Sequence, residues 1–150
     1  AVALTRPQSR GSVTLASRDP LVAPNIDLNF LAEPEDRLRL LEGIRLARKI
    51  GATAPLNAFI HSELNPGTGN ESDEALLASV RASLDTYHHP TSTAPMGKPG
   101  DTGAVVDLQA RVIGLQGLRV VDASIFPDVP SVATNITVIA VAEKIAALYA

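Results

Sequence analysis

The segment "GLRVVDASIFPDVPSVATNITVIAVAEKIA", Gly117–Ala146, decides how this chain is read. LRVVD (118–122) has the make-up of a short strand ending in an acid, and PDVPSVATN (127–135) is a connection marked by prolines. A helix is expected from about Ile136 to Leu148. The strand end presents Asp122 beside Ala123 and Ser124, whose small side chains permit close approach to a ligand. The helix start at Asn135–Thr137 offers backbone N–H groups and the positive end of a dipole, suited to an anion or a developing negative charge. A strand, a loop and an Asn-capped core helix would need the same residues with no ligand at all. The residues alone favour that plainer reading.

Upstream, "TYHHPTSTAPMGKPGD" (86–101) sets His88 and His89 side by side at the end of an expected helix. Short strands are expected at AVVD (104–107) and ARVIG (110–114), with turn residues between them. GSVTLAS (11–17) and IDLNFL (26–31) alternate like half-buried strands, separated by the proline-broken RDPLVAPN. Pro34 opens a helix in which Leu38, Leu41, Ile44 and Leu46–Ala47 recur at helical spacing, ending near Ile50–Gly51, where glycine can take the left-handed cap. Ser72 is the expected N-cap of a further helix, with Asp73 and Glu74 in its first turn and Leu76, Leu77, Val80 and Leu84 on its buried face. The fold class is therefore α+β, and strands so few and scattered point to part of a larger sheet.

Composition narrows the function. The chain has 150 residues, 45% apolar and only 3% aromatic, so its core rests on Val, Leu, Ile and Ala. A net charge of −3 without a basic cluster argues against nucleic-acid binding. The absence of cysteine removes disulfide and thiolate chemistry. No apolar run approaches the ~20 residues of a membrane span, and the last one, 136–149, is interrupted by Glu143 and Lys144, as in a buried helix of a soluble protein. The cytoplasm is the expected compartment. The start AVALTRPQ carries neither Met nor a signal-peptide pattern, so a fragment or a processed chain is expected.

Other candidates fall away. PGTGNES (66–72) lacks the third glycine of a dinucleotide loop and does not follow a strand, so it reads as a turn. His61, His88 and His89 have no metal-ligand spacing, and no metal is expected. No G-x-S-x-G elbow exists for a serine hydrolase.

Taken together, YHHPTSTAPMG, GAVVD, RVIGLQGLRVVDASIFP and TNITVIAVAEKIA closely resemble the C-terminal signature of the glucose–methanol–choline (GMC) oxidoreductases. The family pattern is His-Pro-x-Gly-Thr-x-x-Met-Gly, then Gly-Leu-Arg-Val-x-Asp-Ala-Ser, then a Thr-Asn step into an Ala-Glu-Lys helix. PQSRGSVTLASRDPLVAPNIDLNFL resembles the start of that family's substrate-binding sheet, so the resemblance covers most of the chain.

The resemblance implies a flavoenzyme that passes a hydride from an alcohol carbon to flavin N5, with FAD as cofactor and a small-molecule alcohol as substrate. The histidine directly before proline, His89, would be the catalytic base, and imidazole titrates near neutral pH, which suits that task. His88 would be a neighbour whose backbone lines the flavin. Asp122 and Ala123 would lie at the ribityl–pyrophosphate, and Asn135, Ile136 and Thr137 at the pyrimidine edge, where a helix dipole stabilises charge on reduced flavin. Residues 1–100 or so would belong to the substrate-binding antiparallel sheet with flanking helices. From about 101 to 150 the chain would return to the FAD-binding domain by a strand and a helix. The family's N-terminal Rossmann portion is absent from this sequence, so the chain alone is expected to hold no FAD and to be inactive.

Two positions depart from the family. Ala133 stands where a second active-site His or Asn is usual and cannot hydrogen-bond a substrate oxygen. Ser92-Thr93-Ala94 replaces the usual Gly-Thr step, which could tighten the loop. The first departure keeps open a flavin-containing lyase of the same fold, hydroxynitrile-lyase-like, and truncation keeps open a non-catalytic structural fragment.

Overall fold

Pro34 starts the longest helix, because its missing N–H costs nothing in a first turn. In the computed structural model, which describes residues 2–149, helix α1 runs Pro34–Gly51 with Glu35 and Asp36 at its positive end and Arg48 and Lys49 at its negative end. The strands β1 (Ser12–Thr14) and β2 (Asn25–Asp27) precede it, and α2 (Asp73–Ser83) and α3 (Thr134–Ala146) follow. The chain is α+β, as expected, and divides into two compact units.

The first unit comprises the residues up to Gly11 with Leu28–Tyr87. Its core joins Leu31, Leu40, Leu41 and Ile44 to Leu76 and Val80 of α2, with Leu4, Leu77 and Leu84 packed against them. Leu76 is fully buried, which contributes ~2 kcal/mol in transfer terms. Ser72 caps α2 as expected, its Oγ accepting from the Ala75 N–H at 3.2 Å. The face of α1 differs from expectation: Leu38 and Leu46 are 54% and 58% exposed. The buried stripe is Asp36, Leu40, Leu41 and Ile44, and Leu38 lies about 160° round the helix from Leu40 at 100° per residue. Gly51 is not a left-handed cap either. It is the last helical residue, and Ala52 caps α1 in right-handed conformation.

The second unit comprises Ser12–Asp27 with the residues from His88 onward. β1 and β2 pair antiparallel in the register Ser12–Asp27, Val13–Ile26, Thr14–Asn25. Both are shorter than expected and exposed along their whole length, not half-buried. The core gathers Val106, Ala110, Ile125, Phe126 and Ile145, with Met96, Val112, Val120, Val138 and Val141 around it.

The three strands expected at 104–107, 110–114 and 118–122 do not form. Single bridges stand in their place, Met96–Val106, Val106–Val112 and Arg111–Arg119. Gly103, Ala110, Gly114 and Gly117 all have positive φ and turn the chain every few residues. Asp107 accepts the N–H groups of Gln109 and Arg111, both at 2.9 Å, closing a turn where a strand would run straight.

Helix α3 begins two residues before the expected Ile136, with Ala133 as its N-cap and not Asn135. It is also less buried than expected. A stripe of Val138, Val141 and Ile145 meets the core, while Ile136 and Ile139 are 79% and 54% exposed. No helix among the described residues is long and apolar enough to cross a membrane.

Candidate active site

The loop that carries the paired histidines is built from unusual backbone. Tyr87 and His88 take φ of 56° and 61°, a left-handed step that side chains resist by roughly 1–2 kcal/mol each. Such strain persists only where surrounding structure enforces it. Downstream, the loop is laced to the turn Ala123–Ile125. The N–H groups of Ser92, Ala94 and Met96 donate to the carbonyls of Ala123, Ser124 and Ile125 at 3.2, 2.9 and 2.8 Å. Asp122 fixes that turn, its Oδ1 accepting from the Ser124 N–H at 2.8 Å.

His89 is half-buried, and its Nδ1 lies 3.0 Å from Oγ1 of Thr134. Thr134 is the first residue of α3 and is only 9% exposed. Asn135 and Ile136 are exposed in the same first turn, and Thr137 is half-buried. The N-cap of α3, Ala133, makes no side-chain cap hydrogen bond. Thr137 follows the N-cap by four residues, so its N–H is the first to join the helical ladder and the open donors lie before it.

These bonds join three segments that the sequence spreads over some fifty residues: the histidine loop, the Asp122–Ala123 turn and the start of α3. His88 precedes His89 with an exposed side chain. Asp122 is exposed and Ala123 half-buried, so this turn keeps an open face of small and acidic groups. His61 is exposed and belongs to the first unit. PGTGNES is a turn, with Gly67 at φ 89° and the Asn70 N–H donating to its carbonyl at 3.1 Å. No group of three or more His, Cys, Asp or Glu side chains among the described residues could hold a metal ion.

Thr134 stands in the Thr-Asn step of the family signature, but the sequence reading gave it no role at the site. The signal was its place directly after Ala133, at the position where polarity was expected and not found.

The chain is α+β, with a loop histidine held to the start of α3 beside a turn of small residues. The chain belongs to the GMC oxidoreductase family, which matches residues 7–142. It is 45% identical over 122 residues to an oxygen-dependent choline dehydrogenase of Rhizobium etli (strain CIAT 652), a match covering 81% of this chain and 22% of that protein. Among solved structures, pyridoxine 4-oxidase from Mesorbium loti superposes with a TM-score of 0.86 at 37% identity, over 97% of this chain and 28% of that one. An FAD-dependent oxidoreductase from Chaetomium thermophilum superposes equally well, 0.86, at 33% identity over 97% and 25%. The chain thus spans about a quarter of the length of the proteins it resembles.

Proposed function

We propose that this chain is the C-terminal portion of an FAD-dependent oxidoreductase that acts on the CH–OH group of a small alcohol, and that it is inactive without the rest of that enzyme. The observation that carries the reading is the His89–Thr134 contact at the uncapped start of α3, within a family match over residues 7–142. The residues fit the cofactor. An uncapped helix start presents N–H donors and partial positive charge, which complements the acceptor-rich edge of a flavin.

FAD, when bound, supplies the hydride acceptor. The rest of the chemistry belongs to side chains of this protein. As the base, His89 would carry its own proton on Nδ1, which lies 3.0 Å from Thr134 Oγ1, and would take the substrate hydroxyl proton on Nε2. Asn135, Ile136 and the start of Thr137 would meet the pyrimidine edge of the flavin. Asp122 and Ala123 would face the ribityl–pyrophosphate, and His88 would line the flavin through its backbone. Residues 1–100 or so serve the substrate-binding domain, and about 101–150 return the chain to the FAD-binding domain.

Ala133 favours one second reading, a lyase of the same fold that retains flavin without using it for redox chemistry. Its methyl group offers no second partner for a substrate oxygen.

The test is the visible spectrum of the longer protein, followed anaerobically while alcohols are added. Flavin bands that bleach support the oxidoreductase. Flavin bands that stay oxidised while substrate is consumed support the lyase. A protein that binds no flavin is a structural relic of the family, and both catalytic readings fail.

A further inference from the structure

We infer that Thr134 is the positioning residue for His89. The inference rests on the role proposed above for His89 and has three supports. Thr134 Oγ1 is 3.0 Å from Nδ1, and the residue is 9% exposed, so water competes poorly for this bond. Threonine is branched at Cβ and stiff at χ1, and Thr134 is anchored in the first turn of a helix, so its hydroxyl is a fixed point. Finally, a hydroxyl in a first turn commonly turns back on its own helix, yet here it meets a ring 45 residues away.

The contact does two things that burial alone would not. It selects which face of the imidazole points where, since rotation about χ2 has two broad, nearly equivalent wells. It also engages Nδ1, so in the proposed chemistry Nε2 is the nitrogen that exchanges a proton with substrate. With Ala133 contributing no polar group, proton transfer rests on the orientation of one ring. The Thr134 hydroxyl acts through His89.

The experiment uses the longer flavoprotein with Thr134→Val and Thr134→Ser, read in two ways. One is the 15N NMR signature of His89, assigned by comparison with His89→Gln, which reports tautomer directly. The other is anaerobic reduction of the flavin by alcohol, with kcat and KM determined separately. In Thr134→Val the His89 signals should shift as Nδ1 loses the hydroxyl, and kcat should fall by about 10- to 100-fold, the usual cost of a misplaced group, with KM nearly unchanged. Thr134→Ser should recover most of both. A native His89 signature and native kcat in Thr134→Val overturn the inference. So does a Ser variant as slow as the Val variant with unchanged tautomer, which makes Thr134 a packing residue. Thr134→Ala with the same readouts replaces the Val variant if that one does not fold. If no alcohol reduces the flavin, the role of His89 fails, while the shift of its 15N signals in Thr134→Val still shows whether Thr134 holds Nδ1.

Discussion

Ser9 and Asp36 are 27 residues apart and joined twice, the backbone N–H of Ser9 reaching Asp36 Oδ2 at 2.7 Å and its hydroxyl at 2.6 Å. The Gln8 N–H adds a bond at 2.9 Å to Oδ1, and Ser9 Oγ in turn accepts from the Glu33 N–H at 3.0 Å. Asp36 therefore does for the start of α1 what a capping box does within one helix, using a distant serine as the relay. Asp36→Ala strands the N–H groups of Gln8 and Ser9 and leaves the cap without its carboxylate. Urea denaturation at pH 7 should show a loss of about 2–3 kcal/mol, as for a hydrogen-bonded, nearly buried charge. A loss close to zero would mean the N-terminal segment is not held this way.

The same carboxyl predicts an acid limb. Burial pushes its pKa up, but the Ser9 hydroxyl, the N–H groups of Gln8 and Ser9 and the charge of Arg39 outweigh that and hold it below the ordinary 3.8. A carboxyl lowered on folding contributes stability that is fully present above its unfolded value and is lost as pH falls through the folded one. Stability measured from pH 5 down to pH 2 should therefore fall more steeply in the native protein than in Asp36→Asn. Parallel curves would contradict the assignment.

Arg48 pins a loop. Its Nε and Nη2 engage both oxygens of Glu63 at 2.9 to 3.1 Å, while Nη1 and Nη2 also donate to the carbonyls of Asn70 and Gly67 at 3.0 Å. The bond to Glu63 raises the guanidinium pKa, so the charge is present at every working pH. Lysine keeps that charge but cannot reach four acceptors from one planar group. Limited proteolysis of Arg48→Lys should cut faster between residues 63 and 70 than in the native protein, and an unchanged rate would assign the loop's order to packing.

Ser92 and Gly97 give opposite expectations for glycine. Ser92 occupies the position where the family pattern has glycine, and its φ is 66°. Ser92 thus holds a left-handed backbone that glycine adopts without strain. Ser92→Gly should be neutral or stabilising by up to about 1 kcal/mol, and Ser92→Val destabilising by at least as much. A Cβ on Gly97 would meet Ala104 Cβ at 2.9 Å and Asp101 Oδ2 at 3.1 Å, so Gly97→Ala should lower the melting temperature. Melting curves of the three variants check the set, and a stabilised Gly97→Ala would refute it.

What could be read from the sequence is what local chemistry controls. Pro34, Gly51 and Ser72 marked helix ends that the structure keeps within a residue. The buried face of α1 was not legible. Leucines at 38, 40, 41 and 46 allow several stripes, and the choice depends on what α2 and the N-terminal segment bring to it. The segment 104–122 misled for a related reason: its Val-rich runs have strand composition, yet positive φ at Ala110, Gly114 and Gly117 breaks each run after a single bridge. At the candidate site, the motif residues were legible through family resemblance. The contact that joins them was not, since no pattern pairs positions 89 and 134.

The last prediction concerns His89 itself. If it takes the substrate proton, His89→Ala in the longer flavoprotein should slow anaerobic flavin reduction by about 10²- to 10⁴-fold, the range for loss of a general base. His88→Ala should stay near native, because the exposed His88 ring has no part in the proposed chemistry and only its backbone would border the flavin. The comparison separates two explanations of the doubled histidine. A shared base would make the two variants similarly slow, and a purely structural pair would slow neither. A large effect at His89 alone fits the geometry, in which one ring of the pair is bound to the start of α3 through Thr134.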